Sequence, residues 1–317
     1  MGSSTSVVTA HSATRSAVPG PPFRRVFVTG ATGFIGRRVS RELLARGVEV
    51  HASVHRTLPP STSQIRWHEL DLSYEDGVRT VMDRVRPDVL LHLAWNVDTD
   101  YETSGDNDRW VQWSLHLARE FIRAGGRHML VAGSCAEYEW SSPVLCEESR
   151  CVPVTRYGIA KLSLSRQVRS FTKVGVKVAW PRLFFLFGEG ERDQRLIPHL
   201  IRDVRDERMI DWVLPEIRRD YLHVGEAARA IVHLIDRGYD GVINVGSGQA
   251  PALEEIAATI AEALGKAAPA ITRVGQLSCP TLEIRADISR LRRLGWSPLR
   301  TVADALTDLA RESVPER

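Results

Sequence analysis

Tyr157 and Lys161 are the residues whose types and spacing most directly suggest chemistry. Side chains four residues apart share one face of a helix, so a phenol and an ammonium would be neighbours. A free tyrosine has a pKa of about 10, and a nearby cation lowers that pKa. The pair can therefore exchange a proton with an alcohol or a carbonyl oxygen. Because this spacing also arises by chance, it needs support from the rest of the chain.

Ser134 is the third residue of the predicted catalytic set. It follows an apolar run, Met129 to Ala132, that predicts a buried strand. Open parallel sheets bind ligands at the carboxyl ends of their strands, which is where this serine would lie. Its hydroxyl could hydrogen-bond the same oxygen that Tyr157 serves. A serine alone also suits an ordinary turn, so this prediction depends on Tyr157 and Lys161.

A glycine-rich turn near residue 30 predicts a phosphate-binding site. Three glycines, each three residues after the last, follow the apolar strand 26–29 and open a helix predicted from Phe34 to Arg46. Such glycines allow a tight turn, a close approach of pyrophosphate and close packing of the helix on the sheet. The alternative is a plain strand–helix turn. The predicted contacts of a bound dinucleotide here are Gly30, Thr32, Gly33, Phe34, Ile35 and Gly36.

The end of the second predicted strand indicates which dinucleotide would bind. An acidic residue there would bind the adenosine 2′-hydroxyl of NAD, but the strand ends in Ser53-Val54-His55-Arg56. Arg56 can pair with a 2′-phosphate, and Arg37, just after the last glycine, is a second candidate. The sequence therefore favours NADP(H), with NAD(H) as the other choice. Two solvated arginines are the alternative explanation.

Alternating strand and helix patterns predict how these residues are positioned. The predicted strands are 26–29, 48–54, 65–70, 88–94, 129–132, 176–184 and 242–245. The predicted helices are 34–46, 76–86, 108–124, 157–170, 196–204, 225–236 and 253–264. This alternation predicts an α/β fold, a Rossmann-type doubly wound parallel sheet with a smaller C-terminal substrate-binding lobe. We expect a disordered leader at 1–22, an NAD(P)-binding domain at 23–185, and mainly the lobe at 186–317.

Composition argues against several classes of protein. The formal net charge of +3 is too small to predict nucleic-acid binding. No apolar run approaches the roughly 18–20 residues of a membrane span. The four cysteines show neither a CxxC pair nor metal-ligand spacing, which predicts no metal site and a reduced, cytoplasmic compartment. Residues 1–22 lack the apolar stretch of a secretory signal, and a cleaved transit peptide is the alternative to a leader.

Together these motifs resemble those of the extended short-chain dehydrogenases, in particular the nucleotide-sugar epimerases, dehydratases and ketoreductases. The resemblance runs from Arg24 almost to the end of the chain. It implies that Asp71-Leu72 contacts adenine and that the strand His92-Leu-Ala-Trp95 lines the cofactor. It also implies that Arg219 holds the substrate diphosphate, with help from Arg195. The further cofactor contacts that it implies are Asp71, Leu72, Leu93, Ala94, Trp95, Tyr157, Lys161 and Leu183.

Departures from the family pattern bear on the reaction. Dehydratases of this family place an Asp-Glu pair directly after the catalytic serine or threonine, where this chain has Cys135 and Ala136. The resemblance therefore argues against dehydration. Glu137 lies one position too far along, and Phe185 replaces a common substrate-binding asparagine. Core packing is the favoured reading of Trp110 and Trp113, whereas Trp95 and Trp140 would line a sugar pocket. The predicted substrate contacts are Trp95, Cys135, Glu137, Phe185, Arg195 and Arg219.

The resemblance implies an enzyme that reduces the keto group of a nucleotide-activated 4-keto-6-deoxyhexose with NADPH. A 4-epimerase that retains NAD is the first alternative, because it uses the same catalytic residues without net redox change. A non-catalytic dinucleotide-sensing protein is a remote alternative, since such proteins usually lose the tyrosine–lysine pair. The resemblance also implies a homodimer formed through the helices at 108–124 and 157–170, with a nucleotide sugar as the small-molecule partner.

Overall fold

The computed structural model describes residues 23–55, 64–98, 100–212, 216–273 and 281–313. Its strands are β1 (Arg25–Thr29), β2 (Glu49–Val54), β3 (Arg66–Glu69), β4 (Val89–His92), β5 (His128–Val131), β6 (Gly133–Ser134), β7 (Val144–Leu145), β8 (Lys177–Leu183), β9 (Phe185–Phe187), β10 (Ile210–Trp212), β11 (Arg218–Arg219), β12 (Tyr221–His223), β13 (Gly241–Val245), β14 (Ile271–Arg273) and β15 (Glu283–Ala286). Its α-helices are α1 (Phe34–Ala45), α2 (Glu75–Val85), α3 (Asp106–Arg123), α4 (Arg156–Arg169), α5 (Leu196–Arg205), α6 (Val224–Asp236), α7 (Leu253–Leu264), α8 (Ser289–Arg293) and α9 (Val302–Glu312). The leader predicted at 1–22 lies outside the described residues.

One parallel sheet forms the centre of the molecule, as the sequence predicts. Its strands follow the order β13-β8-β5-β4-β1-β2-β3, and β6 also pairs with β8. In β1, Val26 lies opposite Val50 of β2 on one side and Val89 of β4 on the other. Interior strands of such a sheet have helices on both faces, which explains why their sequences are apolar almost throughout. The Rossmann-type fold is therefore confirmed.

The two faces of the sheet support separate hydrophobic layers. Val26 and Val28 belong to the layer under α1 and α6, whereas Phe27 between them belongs to the layer under α2, α3 and α4. This alternation follows from the two-residue repeat of a strand. Each fully buried side chain of this size stabilises the fold by roughly 1.5–3 kcal/mol. Trp110 and Trp113 pack against the second layer, in agreement with their predicted packing role.

Local signals fix the helix that carries the predicted catalytic pair. The Thr155 hydroxyl accepts a hydrogen bond from the backbone N–H of Gly158 at 3.0 Å and so caps the start of α4. A Cβ on Gly158 would lie 2.3 Å from the carbonyl oxygen of Ala136, so the helix packs directly on the segment after β6.

Within the described segments, no helix has both the length and the apolar character of a membrane span.

A smaller lobe follows β8, but the chain returns to the central sheet before the lobe is complete. The lobe contains α5, α7 and α9 around their own apolar core, together with the strand pair β9 and β12. Between these parts, α6 packs on α1 and β13 pairs with β8 at the edge of the central sheet. Residues 224–245 thus belong to the first layer although they follow the predicted boundary at 186.

Candidate active site

The glycine turn after β1 has the geometry of a phosphate cradle. Gly30 has a φ of +72°, and a Cβ there would lie 2.7 Å from the backbone nitrogen of Ala94. A Cβ on Gly36 would lie 2.0 Å from the carbonyl oxygen of Gly30. Side chains at either position would therefore collide with backbone. The bare turn and the start of α1 leave backbone amides available to phosphate, so the residues present fit a dinucleotide.

The other predicted cofactor contacts lie around this turn, at the carboxyl ends of the parallel strands. Leu93, Ala94 and Trp95 follow β4, and Leu183 ends β8. Asp71 follows β3 with an exposed carboxylate, and Leu72 beside it is buried. Thr32 is exposed in the turn, and Phe34 and Ile35 begin α1, both partly buried. The fold therefore brings these residues to one edge of the sheet, and their contacts with a cofactor stay a prediction.

The structure describes only one of the two arginines that are predicted to select NADP(H). Arg56 lies outside the described residues. Arg37 donates to the carbonyl oxygen of Gly190 at 3.3 Å, and its neighbour Arg38 pairs with Glu189 at 2.6 Å. Both arginines therefore hold the loop after β9 against α1. The described end of β2 contains no acidic residue, which leaves the expected preference for NADP(H) as a prediction.

Tyr157, Lys161 and Ser134 come together at the carboxyl edge of the sheet. The ammonium of Lys161 lies 5.7 Å from the centre of the Tyr157 ring and donates to the carbonyl oxygen of Ala132 at 2.9 Å. Burial raises the pKa of the Tyr157 phenol, and a hydrogen bond with the Ser134 hydroxyl opposes that rise. Burial lowers the pKa of Lys161 to about 7. The three predicted catalytic side chains thus form one cluster, and the pKa values of Tyr157 and Lys161 are perturbed there, as those of catalytic groups often are.

An aromatic cluster lies against this catalytic set. The ring of Trp95 stacks on Trp110 with centroids 5.7 Å apart and meets Tyr157 edge-on at 6.2 Å. Tyr101 meets Tyr157 edge-on at 5.0 Å, and the guanidinium of Arg195 lies 5.4 Å from the Tyr101 ring. The predicted site residues Trp95 and Arg195 are therefore close to the phenol. Tyr101 lies between Arg195 and the Tyr157 ring. The sequence analysis did not predict a role for Tyr101.

Glu137 lies buried beneath Ser134, which argues against its predicted contact with the sugar. The residue is fully buried. Its carboxylate accepts hydrogen bonds from the Ser134 backbone N–H at 2.8 Å, from the Trp180 indole at 2.9 and 3.1 Å, and from Arg182 Nε at 2.9 Å. These partners leave no surface for a ligand. The Ser-x-x-Glu spacing of a capping box could have indicated the hydrogen bond between Glu137 and the Ser134 backbone.

The predicted substrate residues of the lobe form a second group. The guanidinium carbon of Arg219 lies 5.2 Å from the Trp140 ring and 6.0 Å from the Phe185 ring. Arg219 also donates to the backbone oxygens of Arg218 and Leu282, each at 2.8 Å. The arginine is thus buried and held in one position. Its contact with a diphosphate stays a prediction.

Cys135 adds little chemistry of its own. The residue is buried against Tyr138 and Phe184, and burial raises the pKa of its thiol to about 12. A thiol of that pKa stays protonated at neutral pH and is a poor nucleophile. The described residues contain no group of three or more histidine, cysteine, aspartate or glutamate side chains that could hold a metal ion.

His92 is a buried residue whose protonation should affect stability. Its Nδ1 lies 2.6 Å from the Thr29 hydroxyl and its Nε2 lies 2.7 Å from the Ser114 hydroxyl. Burial, assisted by the charge of Lys161, lowers the pKa of His92 to about 3. Since an unfolded histidine has a pKa of about 6.5, the folded chain resists protonation. The stability from this group is complete above about pH 6.5 and is lost as the pH falls towards 3.

We expect the free energy of unfolding to fall by up to about 2 kcal/mol between pH 7.5 and pH 5 through His92 alone. Urea denaturation at the two pH values measures the total change. The variant His92→Asn has no titrating group there and should show a smaller pH dependence than the natural chain. An identical pH dependence in both proteins would contradict the assignment.

Comparisons with known proteins agree with this geometry. The model of the NAD dependent epimerase/dehydratase family matches residues 26–246. The dTDP-4-dehydro-6-deoxyglucose reductase of Escherichia coli is 23% identical, with 90% of this chain and 96% of that protein covered. The dTDP-6-deoxy-L-talose 4-dehydrogenase (NAD(P)(+)) of Kitasatospora kifunensis is 26% identical, with 90% and 94% covered.

A solved structure shows the same fold over most of the chain. The UDP-glucose 4-epimerase of Thermotoga maritima, determined with UDP-glucose, superposes with a TM-score of 0.80 at 19% identity. The superposition covers 90% of this chain and 97% of the epimerase. A reductase, a dehydrogenase and an epimerase are thus all similar to this chain, and the reaction has to be argued from the site.

Proposed function

We propose that this chain, which belongs to the NAD-dependent epimerase/dehydratase family, reduces a nucleotide-activated 4-keto-6-deoxyhexose. The relatives named above are NAD(P)-dependent enzymes that act on nucleotide sugars. The observation that carries this proposal is the cluster of Tyr157, Lys161 and Ser134, together with the absence of a carboxylate from the two positions that follow Ser134. Ser134 is followed by Cys135 and Ala136, and the next carboxylate, Glu137, is buried. A site of this kind can move a proton to an oxygen, but the two positions directly after Ser134 supply no acid or base for eliminating water from a sugar.

Each catalytic side chain has a defined task in this reaction. Tyr157 donates its phenolic proton to the keto oxygen and becomes a phenolate, while the oxygen becomes a hydroxyl. Because burial raises the pKa of Tyr157, the phenol is protonated before the reaction and holds the proton that it donates. Ser134 donates a hydrogen bond to the same oxygen and stabilises the charge that develops there. Lys161 stabilises the phenolate that remains on Tyr157.

The reduced dinucleotide, when bound at Gly30, Gly33 and Gly36, supplies the hydride for the keto carbon. The glycine cradle and the start of α1 hold the pyrophosphate and so fix the distance between the two reactants. In the lobe, Arg219 would hold the diphosphate of the sugar nucleotide, with Arg195 beside Tyr101 as the second cation. Both arginines suit a diphosphate because a guanidinium donates to two oxygens at once.

The proposal predicts stoichiometric consumption of NADPH. A 4-keto-6-deoxyhexose linked to dTDP is mixed with the protein and NADPH, and the loss of NADPH absorbance is compared with the alcohol formed. One NADPH should disappear for each alcohol, and NADPH should be used in preference to NADH because the described end of β2 has no acidic residue. UDP, CDP and GDP forms of the sugar then show which base is accepted.

Two outcomes would replace the proposal by its alternatives. If 4-epimers of a nucleotide sugar interconvert without added cofactor and without net oxidation, the chain is an epimerase. If the dinucleotide binds but no nucleotide sugar is turned over, the chain is a dinucleotide-sensing protein on the same fold.

A further inference from the structure

The ammonium of Lys161 lies against the face of an indole. Its Nζ is 3.7 Å from the centre of the Trp95 ring, inside the range of a cation–π contact. Within the described part of the chain, it donates a hydrogen bond to the carbonyl oxygen of Ala132 at 2.9 Å. Lys161 is only 4% exposed. The ammonium therefore depends on one backbone oxygen and one aromatic face in place of water.

The indole of Trp95 is itself fixed in position. Its Nε1 donates to Oδ1 of Asn107 at 2.9 Å, and its ring stacks on Trp110 with centroids 5.7 Å apart. Asn107 is buried and donates in turn to the backbone oxygens of Tyr101 and Ser104, at 2.6 and 2.9 Å. A ring with a hydrogen-bonded edge and a stacked face has little freedom to rotate. The contact with Lys161 is therefore built into the fold.

Among the described residues, Lys161 forms no ion pair with a charged group of the neighbouring elements. Tyr157 on the same helix is a neutral phenol, and burial holds His92 of β4 in its neutral form by lowering its pKa. Glu137 favours the charged lysine, but its carboxylate is shared with Arg182. Burial lowers the pKa of Lys161 to about 7, so a substantial share of the amine would be neutral near neutral pH. The quadrupole of an indole face opposes this loss because it attracts the cation and not the amine.

We propose that Trp95 is a positioning residue that keeps Lys161 charged and directed at Tyr157. The inference rests on the proposed function for the role of Lys161, but the contact itself does not. A hydrophobic side chain without a π system would fill part of the same space and leave the ammonium unsupported. Phenylalanine would keep an aromatic face, although a smaller one. Trp110→Leu offers a comparison, because it removes an indole that stacks on Trp95 and keeps the ring that lies against the lysine.

The chain allows a direct test, because it contains only four lysines and three of them are exposed. Lys173, Lys177 and Lys266 serve as internal references, while Lys161 is the one buried lysine of the described residues. Nuclear magnetic resonance of protein made with isotope-labelled lysine follows the titration of each ammonium without substrate or cofactor. The natural chain is compared with Trp95→Leu, Trp95→Phe and Trp110→Leu.

We expect the pKa of Lys161 to be lower by about 1 in Trp95→Leu, a tenfold change in the ratio of ammonium to amine. The pKa of Lys161 in Trp95→Phe should fall between those of Trp95→Leu and the natural chain. Trp110→Leu keeps the Trp95 ring and its hydrogen bond to Asn107, so it should lower the pKa less than Trp95→Leu does. The alkaline limit of kcat should move with the pKa. An unchanged or raised pKa in Trp95→Leu would overturn the proposal. If Trp95→Leu does not fold, Trp95→Phe decides the question. An unshifted pKa of Lys161 and an unshifted alkaline limit of kcat in Trp95→Phe would also overturn the proposal.

These results are separable from the proposed reaction. A lowered pKa of Lys161 in protein that reduces no nucleotide sugar would support the role of Trp95 and refute the proposed reductase. Conversely, full reductase activity with an unshifted pKa and alkaline limit in Trp95→Leu would refute the role of Trp95 alone.

Discussion

Replacing Tyr157 with phenylalanine should lower kcat by about 10²–10⁴-fold, the usual contribution of a positioned general acid. The variant loses the phenolic oxygen that hydrogen-bonds Ser134 and that would donate the proton. It keeps the ring that packs edge-on against Trp95 and Tyr101. Since packing is retained, the free energy of unfolding and the affinity for the dinucleotide should change little. Steady-state kinetics with the keto sugar and NADPH measures the effect.

Tyr101→Phe is the matched control for that experiment. Its ring also contacts Tyr157, but its hydroxyl donates to the Glu102 carboxylate at 3.2 Å. If Tyr157 is the acid, Tyr101→Phe should keep kcat within a few-fold of the natural value, on the order of what a modest packing change costs. Full activity in Tyr157→Phe would remove the central catalytic assignment.

Replacing Glu137 with alanine should destabilise the fold by about 3–5 kcal/mol, the cost of leaving one partner of a buried ion pair alone. Arg182 would remain buried without its carboxylate, and the Trp180 indole and the Ser134 N–H would lose their acceptor. A loss of that size is a large share of the stability of an ordinary domain. Urea denaturation of the natural chain and the variant measures the difference.

Glu139→Ala provides the comparison, because Glu139 is two residues away and pairs with the exposed Arg150 at 3.3 Å. A surface pair of this kind contributes about 0–1 kcal/mol. The two variants remove the same chemical group, so the difference between their losses in the free energy of unfolding reflects the burial of Glu137. Equal losses in both would show that the Glu137–Arg182 pair does not support the fold. A second variant, Glu137→Gln with Arg182→Met, removes both charges and should recover part of the stability.

The sequence predicted the sheet because its strands carry strong and local signals. Helix α7 runs from Leu253 to Leu264, as predicted, and β2 begins one residue after its predicted start. Buried parallel strands are short apolar runs, and glycines or prolines separate them from amphipathic helices. Each of these signals lies within the element that it describes. The membership of α6 and β13 in the sheet was not visible, because it depends on contacts with α1 and β8.

The site was predictable where a motif lies in one stretch of chain. The glycine turn and the Tyr157–Lys161 pair are such motifs, and both lie at the carboxyl edge of the sheet. The direction of the Glu137 side chain depends on Trp180 and Arg182, which are 43 and 45 residues further along. The contact of Lys161 with Trp95 likewise joins two distant segments. Long-range partners of this kind leave no periodic signal in the sequence.

The path of the chain has a consequence for how this enzyme can be divided. After β8 the chain builds part of the lobe, comes back to add α6 and β13, and then leaves to finish the lobe. A fragment that stopped at residue 185 would bare the unpaired edge of β8 and one side of α1. We therefore expect the dinucleotide-binding half to need residues 224–245 for stable folding, so that exchanging the lobe with that of a relative would require two junctions and not one.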